Sequence, residues 1–315
     1  MDNIYLGIRV IFPLLLFMAV GLSLRELKWF SEKTFLELNK VIFRLFMPIM
    51  LFFNANMESV GDVFSRQNIQ VLLIAIACVF ATIVVISAVY RNKEADKKRR
   101  AVLLQAAFRS NFLLYGVTVH MTIYGEGNSS AVAVLVIAIV PMYNIISAIL
   151  LRSAAVSRMS IGSAFKTAFT NPFVLAVFSG LLFNLSGLTM PDLVYVPLNQ
   201  LGRVGVPLAF IVLGGGFGFR RLKEEWKVLT QISLVRLIFV PALALIIAYA
   251  FGISGPPLTA LIVLCAAPVA VASYTMAKEE QVAPELAGDL VAMTTFLSLV
   301  TVSSWVTLLG FWGLL

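Results

Sequence analysis

Residues 103–120 read LLQAAFRSNFLLYGVTVH, an apolar run interrupted near its middle by Arg109, Ser110 and Asn111. Residues 261–278 read LIVLCAAPVAVASYTMAK, a second apolar run with Pro268 near its middle. Ser and Asn offer backbone groups hydrogen bonds that compete with a helix. Proline removes a donor and disfavours helix at the residue before it. Both runs are therefore predicted to be broken helices.

The two interruptions are separated by 268 − 109 = 159 residues, and the same offset relates other special residues. Pro13 falls on Pro172 and Gly21 on Gly180, so FPLLLFMAVG matches NPFVLAVFSG; Arg44 falls on Arg203 and Pro48 on Pro207, so RLFMP matches RVGVP. Agreement of prolines and glycines without a gap marks an internal repeat. The units are 1–156 and 160–315.

Apolar runs fill most of the chain, near 4–24, 39–57, 69–90, 101–123, 131–151, 168–187, 196–219, 228–251, 257–278 and 286–313. About 20 apolar residues cross a bilayer's hydrocarbon core. The composition agrees, with 60% hydrophobic and 13% charged residues among 315, against about 25% charge in soluble domains. The expected class is an all-α polytopic membrane protein with ten spans. Five spans per unit, an odd number, make the repeat inverted, as in many secondary transporters. No large globular domain is left over on either side.

Positive residues collect in cytoplasmic loops, and here they follow the odd-numbered runs. Arg25, Lys28 and Lys33 follow the first, Arg91 to Arg100 the third, Arg152, Arg158 and Lys166 the fifth, Arg220, Arg221, Lys223 and Lys227 the seventh, and Lys278 the ninth. The alternate connections hold Arg66 with Glu58, Asp62, Glu126 and Asp192. This pattern places the protein in the cell (plasma or inner) membrane with both termini external. It also accounts for the net charge of +8 without a nucleic-acid partner. The chain begins Met1, Asp2, Asn3, without the basic start of a secretory signal, so the first run is a retained helix. Cys78 and Cys265 sit inside apolar runs as buried thiols, and neither a disulfide framework, a metal site nor a cofactor is indicated.

Among intramembrane polar residues Arg109 is the most informative, because a guanidinium at that depth is costly and faces a partner or an aqueous pathway. Two readings stand open. It either snorkels or binds carbonyl groups freed by the break, or it forks onto a carboxylate beside the positive N-terminus of a half-helix. Ser110, Asn111, the backbone around Pro268, and Ser273 join it as candidate substrate-binding groups. Asn144, after Pro141, is either an interhelical hydrogen-bonding amide or a further site residue. Asp289, one turn into the last run, is either a dipole partner or an ion-coupling carboxylate for a proton or sodium. Arg9, Arg44 and Arg203 lie near span ends and are expected to snorkel, Arg236 is deeper and either snorkels or pairs within the bundle, and His120 is expected at the interface. One histidine and no clustered acids leave little for acid–base or metal chemistry, so no catalytic residue is expected.

The segments LNKVIFRLFMPIMLFFN (38–54), FRSNFLLYGV (108–117), VPMYNIISAILL (140–151), NPFVLAVFSGLLF (171–183), VGVPLAFIVLGGGF (204–217) and APVAVASYTMAKEEQVAPELAGDLVAMTTFLSLVT (267–301) together resemble the auxin efflux carrier family. That family includes bacterial malate and malonate permease-like proteins and the plant PIN exporters. The resemblance implies the fold of bile-acid sodium symporters, with a scaffold of helices 1, 2, 6 and 7 and a transport domain of helices 3–5 and 8–10. Helices 4 and 9 cross at the site, and the homodimer forms through scaffold helices. Asn111 matches the family's Asn at the first crossover and Pro268 its Pro at the second. The chain departs from the pattern after that Asn, with Phe112 to Tyr115 where many members have an early Gly, and Thr118 after Gly116 in place of a later Pro. The long cytoplasmic loop of many plant exporters is absent, as in a compact prokaryotic carrier. The function implied is secondary transport of a small organic anion by alternating access; the alternative is a membrane receptor or sensor with a carrier fold.

Overall fold

The computed structural model describes residues 2–125, 128–155, 172–216 and 222–315. Glu126, Arg158, Lys166, Arg220 and Arg221, counted above among the loop charges, lie outside the described residues, as does residue 171 of the repeat.

The described chain is helical. Helix α1 spans Asp2–Glu26. Helix α2 covers 32–56, capped by the Ser31 hydroxyl, which accepts from the Thr34 amide. A single turn, Val60–Val63, leads to α3, Arg66–Lys93. The fourth apolar run becomes α4, Lys97–Phe108, and α5, Phe112–Tyr124. Then come α6, Ser130–Ala154; α7, Pro172–Leu185; α8, Asp192–Gly215; and α9, which covers 222–250. The ninth run becomes α10, Gly255–Ala266, and α11, Val271–Glu279, and α12 spans Pro284–Phe311. Among the described residues six helices are long and apolar enough to cross a membrane. Large apolar side chains such as Val84, Ile246 and Val300 stand outward, each at least 66% exposed. A helical bundle with an apolar exterior is what a lipid solvent requires.

Two internal prolines leave identifiable marks. Pro48 and Pro241 each follow a π-helical turn, Ile42–Phe46 and Val235–Phe239. A proline cannot donate to the carbonyl four residues back. For Pro241 that carbonyl is Leu237, and it accepts instead from Trp305 Nε1 at 2.9 Å.

The tightest helix contacts centre on glycines. A Cβ at Gly21 of α1 would fall on the Ile211 carbonyl of α8, and one at Gly180 of α7 would fall on the Phe52 carbonyl of α2. These two contacts are images of one another under the sequence offset, since 180 − 21 = 159 and 211 − 52 = 159.

Ion pairs gather at one end of the bundle. Arg99 donates both terminal nitrogens to Glu225 at 2.9 Å and its Nε to Glu94 at 2.9 Å. The hydrogen-bonded Glu225 and, after it, Glu94 hold this guanidinium above its ordinary pKa. Arg152 pairs with Glu280 at 2.7 Å, which ties the end of α6 to the end of α11.

Candidate functional site

At the centre of the bundle the two broken helices meet. Helix α4 ends at Phe108, and Arg109 and Ser110 are extended before α5 begins; α10 ends at Ala266, and Ala267 to Ala270 are extended before α11 begins. Ser110 and Val269 form an isolated antiparallel bridge. The Asn111 amide donates to the Pro268 carbonyl at 2.7 Å, and the Ala270 amide donates to the Arg109 carbonyl at 3.2 Å. The bridge pairs residues separated by 269 − 110 = 159, and the same offset exchanges the two hydrogen bonds, their donors being related by 270 − 111 = 159 and their acceptors by 268 − 109 = 159. Val269 donates its own amide to Thr294 Oγ1 of α12 at 3.1 Å. The strand-like exchange thus satisfies backbone groups that two helix breaks would leave bare in a dry interior.

Two buried guanidinium groups flank the crossing and do different things. Arg109, 6% exposed, turns toward α6 and donates to the Tyr143 carbonyl at 3.3 Å and to Asn144 Oδ1 at 2.7 Å. Arg236, 1% exposed, donates to Phe108 at 3.2 Å and Ala107 at 3.4 Å, both carbonyls at the end of α4. It also donates to Leu264 at 2.8 Å and Ala267 at 2.9 Å, the carbonyls at the end of α10. The last four carbonyls of a helix lack intrahelical partners, and here one side chain serves both buried ends. The sequence marks Arg236 only as a deep charge; its partners lie 28 to 129 residues away in the chain.

The remaining candidates divide between the sealed crossing and an open cavity. Asn111 is buried with its Nδ2 lacking a hydrogen-bond partner among the described residues, and Ser273 Oγ in the first turn of α11 is in the same condition. Fully buried Gln105, one turn before the break, has neither amide atom partnered among the described residues. A cavity of about 610 Å³ runs between α1, α2 and α8 on one side and α11 and α12 on the other. Its walls carry Arg25, Asn39, Tyr274, Thr275, Lys278, Glu285 and Asp289, and they reach Leu114 of α5 and Val271 of α11. The cavity therefore approaches the crossing to within three residues of Asn111 and Pro268 in sequence, while Arg109 points away from it toward α6. Asp289 lines the cavity and is itself buried. Asn39 and Thr275 carried no signal in the sequence and Lys278 read only as a loop charge, because polar residues near helix ends look alike until the packing shows which face a void.

The opposite end of α2 is closed. Glu58, 5% exposed, accepts from the amide and, at 2.8 Å, from the hydroxyl of Ser129, which begins α6. The Ser129 hydroxyl also reaches the Asn54 carbonyl at 3.4 Å. A carboxylate at a helix N-terminus is favourable, and this one joins α2 to α6. Nearby His120 is fully buried, with Nε2 at 2.8 Å from the Asn128 carbonyl. Glu58→Ala strands the buried Ser129 amide and is expected to cost about 1–3 kcal/mol. Glu58→Gln, which keeps an acceptor oxygen, should lose less; thermal melting of the purified proteins gives the order.

An apolar-walled helical bundle whose two broken helices meet at its protected centre is a polytopic membrane protein. Residues 6–306 match the model of a family described as membrane transport proteins, the auxin efflux carrier family, and the chain belongs to that family. It is also similar to a protein named "Uncharacterized transporter" from Methanothermobacter thermautotrophicus (strain ATCC 29096 / DSM 1053 / JCM 10044 / NBRC 100330 / Delta H). That relative is 26% identical over 303 residues, 94% of this chain and 96% of its own.

Proposed function

We propose that this protein is a secondary membrane transporter that moves a small organic anion, a carboxylate or auxin-like acid, by alternating access. The observation that carries the proposal is the crossing of α4–α5 with α10–α11 through hydrogen bonds related by the offset of 159. The glycine contacts of α1 with α8 and of α7 with α2 repeat the relation elsewhere in the molecule. Together they support ten spans in two inverted five-helix repeats, 1–156 and 160–315. The scaffold is then α1, α2, α7 and α8, and the moving domain comprises α3 to α6 and α9 to α12. The cavity between these groups at one end, and the Glu58 contact between α2 and α6 at the other, support a carrier resting open to one side. In this proposal Arg109, Ser110, Asn111, Asn144, Pro268 and Ser273 form the anion site, and Asp289 is the coupling carboxylate for a proton or sodium. The homodimer forms through the scaffold.

In the same proposal the protein lies in the cell membrane, and the loop charges put the cavity mouth and the segment 91–100 in the cytoplasm and both termini outside. Cysteines introduced at exposed Asn92 and Asn128 check this. An impermeant thiol reagent added outside cells should label Asn128→Cys alone, and labelling of Asn92→Cys would overturn the orientation.

The function itself is tested by uptake of radiolabelled mono- and dicarboxylates into proteoliposomes, with and without imposed proton and sodium gradients. Saturable accumulation of a carboxylate above protein-free vesicles is expected. Saturable binding without flux would instead identify a receptor, and chemical conversion of the label would identify an enzyme.

A further inference from the structure

The buried Arg236 has a consequence for the sign of the potential at the crossing. Two helix C-termini converge there, α4 at Phe108 and α10 at Ala266, and each carries about half a negative charge on its unsatisfied carbonyls. Two N-termini diverge from the same place, α5 and α11, each with about half a positive charge. Left to themselves, the four ends cancel, and the half-helices add nothing to the attraction of the Arg109 guanidinium for an anion. Arg236 changes this balance because its guanidinium sits on the negative ends alone, through four carbonyls. One full positive charge matches two half charges, so the fields of the N-termini remain. Helix α11 begins at Val271, which lines the inner end of the cavity.

We infer that Arg236 is the positioning residue that makes this crossing anion-selective, by neutralising the converging C-termini of α4 and α10 so that the N-termini of α5 and α11 set the potential at the inner end of the cavity. The inference rests on the proposed anion site but concerns a residue outside it, one that acts through the half-helices and touches no substrate. A π-helical turn, Val235–Phe239, presents the side chain, and irregular turns of this kind recur at functional positions. A purely structural arginine would also satisfy the carbonyls, so the distinguishing quantity is the potential.

A reporter cysteine reads that potential without knowledge of the substrate. Val271→Cys is purified in the full-length chain, and its reaction rates with an anionic (sulfonatoethyl) and a cationic (trimethylammonioethyl) methanethiosulfonate are divided by those of 2-mercaptoethanol. The parent protein, whose Cys78 and Cys265 are buried, supplies the background. Charged groups on the cavity wall, Arg25, Lys278, Glu285 and Asp289, are common to every variant and cancel in the comparison. Val271→Cys alone should favour the anionic reagent; an absence of preference would count against the anion site itself. Adding Arg236→Gln, or Arg236→Met, which fills the volume without charge, should move the ratio toward the cationic reagent by roughly tenfold, and Arg236→Lys should largely keep it. An unchanged ratio in folded Arg236→Gln or Arg236→Met would overturn the inference, whatever the first measurement gave. Failure of both neutral variants to yield folded protein would assign Arg236 to the fold alone and overturn it as well.

Discussion

Gly21→Val and Gly180→Val are each expected to abolish most of the folded yield, and to do so equally. At both positions the added side chain meets a backbone carbonyl of the facing helix, Ile211 in one case and Phe52 in the other, with Gly215 and Asn56 amides close behind. A side chain could rotate away; a carbonyl inside a helix cannot. Overpacking in a core costs about 1–3 kcal/mol when neighbours can yield, so the upper end of that range or more is expected here. Gly61→Ala is the control. It lies in the turn Val60–Val63, and its added methyl would meet nothing nearer than the Ser59 hydroxyl at 3.8 Å. It should be neutral or stabilise by up to about 1 kcal/mol through the unfolded chain. Fluorescence-detected size exclusion and thermal melting of the three variants give the comparison, and a large asymmetry between Gly21→Val and Gly180→Val would count against the two-fold relation.

The second large effect is expected at Arg109. Its guanidinium spans two acceptors on α6, a carbonyl and an amide oxygen, and the planar fork still has donors for a carboxylate. Lysine keeps the charge but loses the fork. Arg109→Lys should therefore weaken anion binding by about 10- to 100-fold, the scale of one charge-assisted hydrogen bond, with a smaller loss of stability. Asn111→Ala should impair transport with little change in yield, because the helix is already interrupted there and the Asn111 backbone, rather than its side chain, holds the Pro268 carbonyl. Affinity is measured on monodisperse protein. If Arg109→Gln melts earlier yet binds as tightly, and Asn111→Ala also binds normally, these side chains leave the site and Arg109 serves only to fasten α6 to the crossing.

The helix breaks were legible because their causes are local. Arg109, Ser110, Asn111 and Pro268 sit in apolar runs, where nothing else in the sequence explains them, and their offset of 159 pairs them before any packing is known. The direction of Arg109 was not legible. Nothing in LLQAAFRSNFLLYGVTVH decides whether the guanidinium turns to α6 or to the cavity, since that depends on where Asn144 arrives from the next helix. Arg236 was visible as a deep charge but its role was hidden, because its four acceptors are main-chain carbonyls, identical in every residue type, brought together only by the crossing. Glu58 read as a loop acid. Its burial follows from Ser129, 71 residues later, beginning a helix beside it. Periodicity and composition thus give the helices and their interruptions, while the faces that meet a void or a partner come from long-range packing.

Alternating access makes one demand that can be measured on a single contact. If the carrier works as proposed, α2 and α6 must separate at the end where Asn54, Glu58 and Ser129 meet, since that end has to open when the cavity at the other end closes. Asn54→Cys and Ser129→Cys together place thiols at this contact, where the Ser129 hydroxyl lies 3.4 Å from the Asn54 main-chain carbonyl. Bridging them with copper phenanthroline or mercuric ion, with each single mutant as control, should stop carboxylate flux in proteoliposomes, leave binding from the cavity side intact, and be reversed by dithiothreitol. Undiminished flux through the bridged protein would contradict the mechanism.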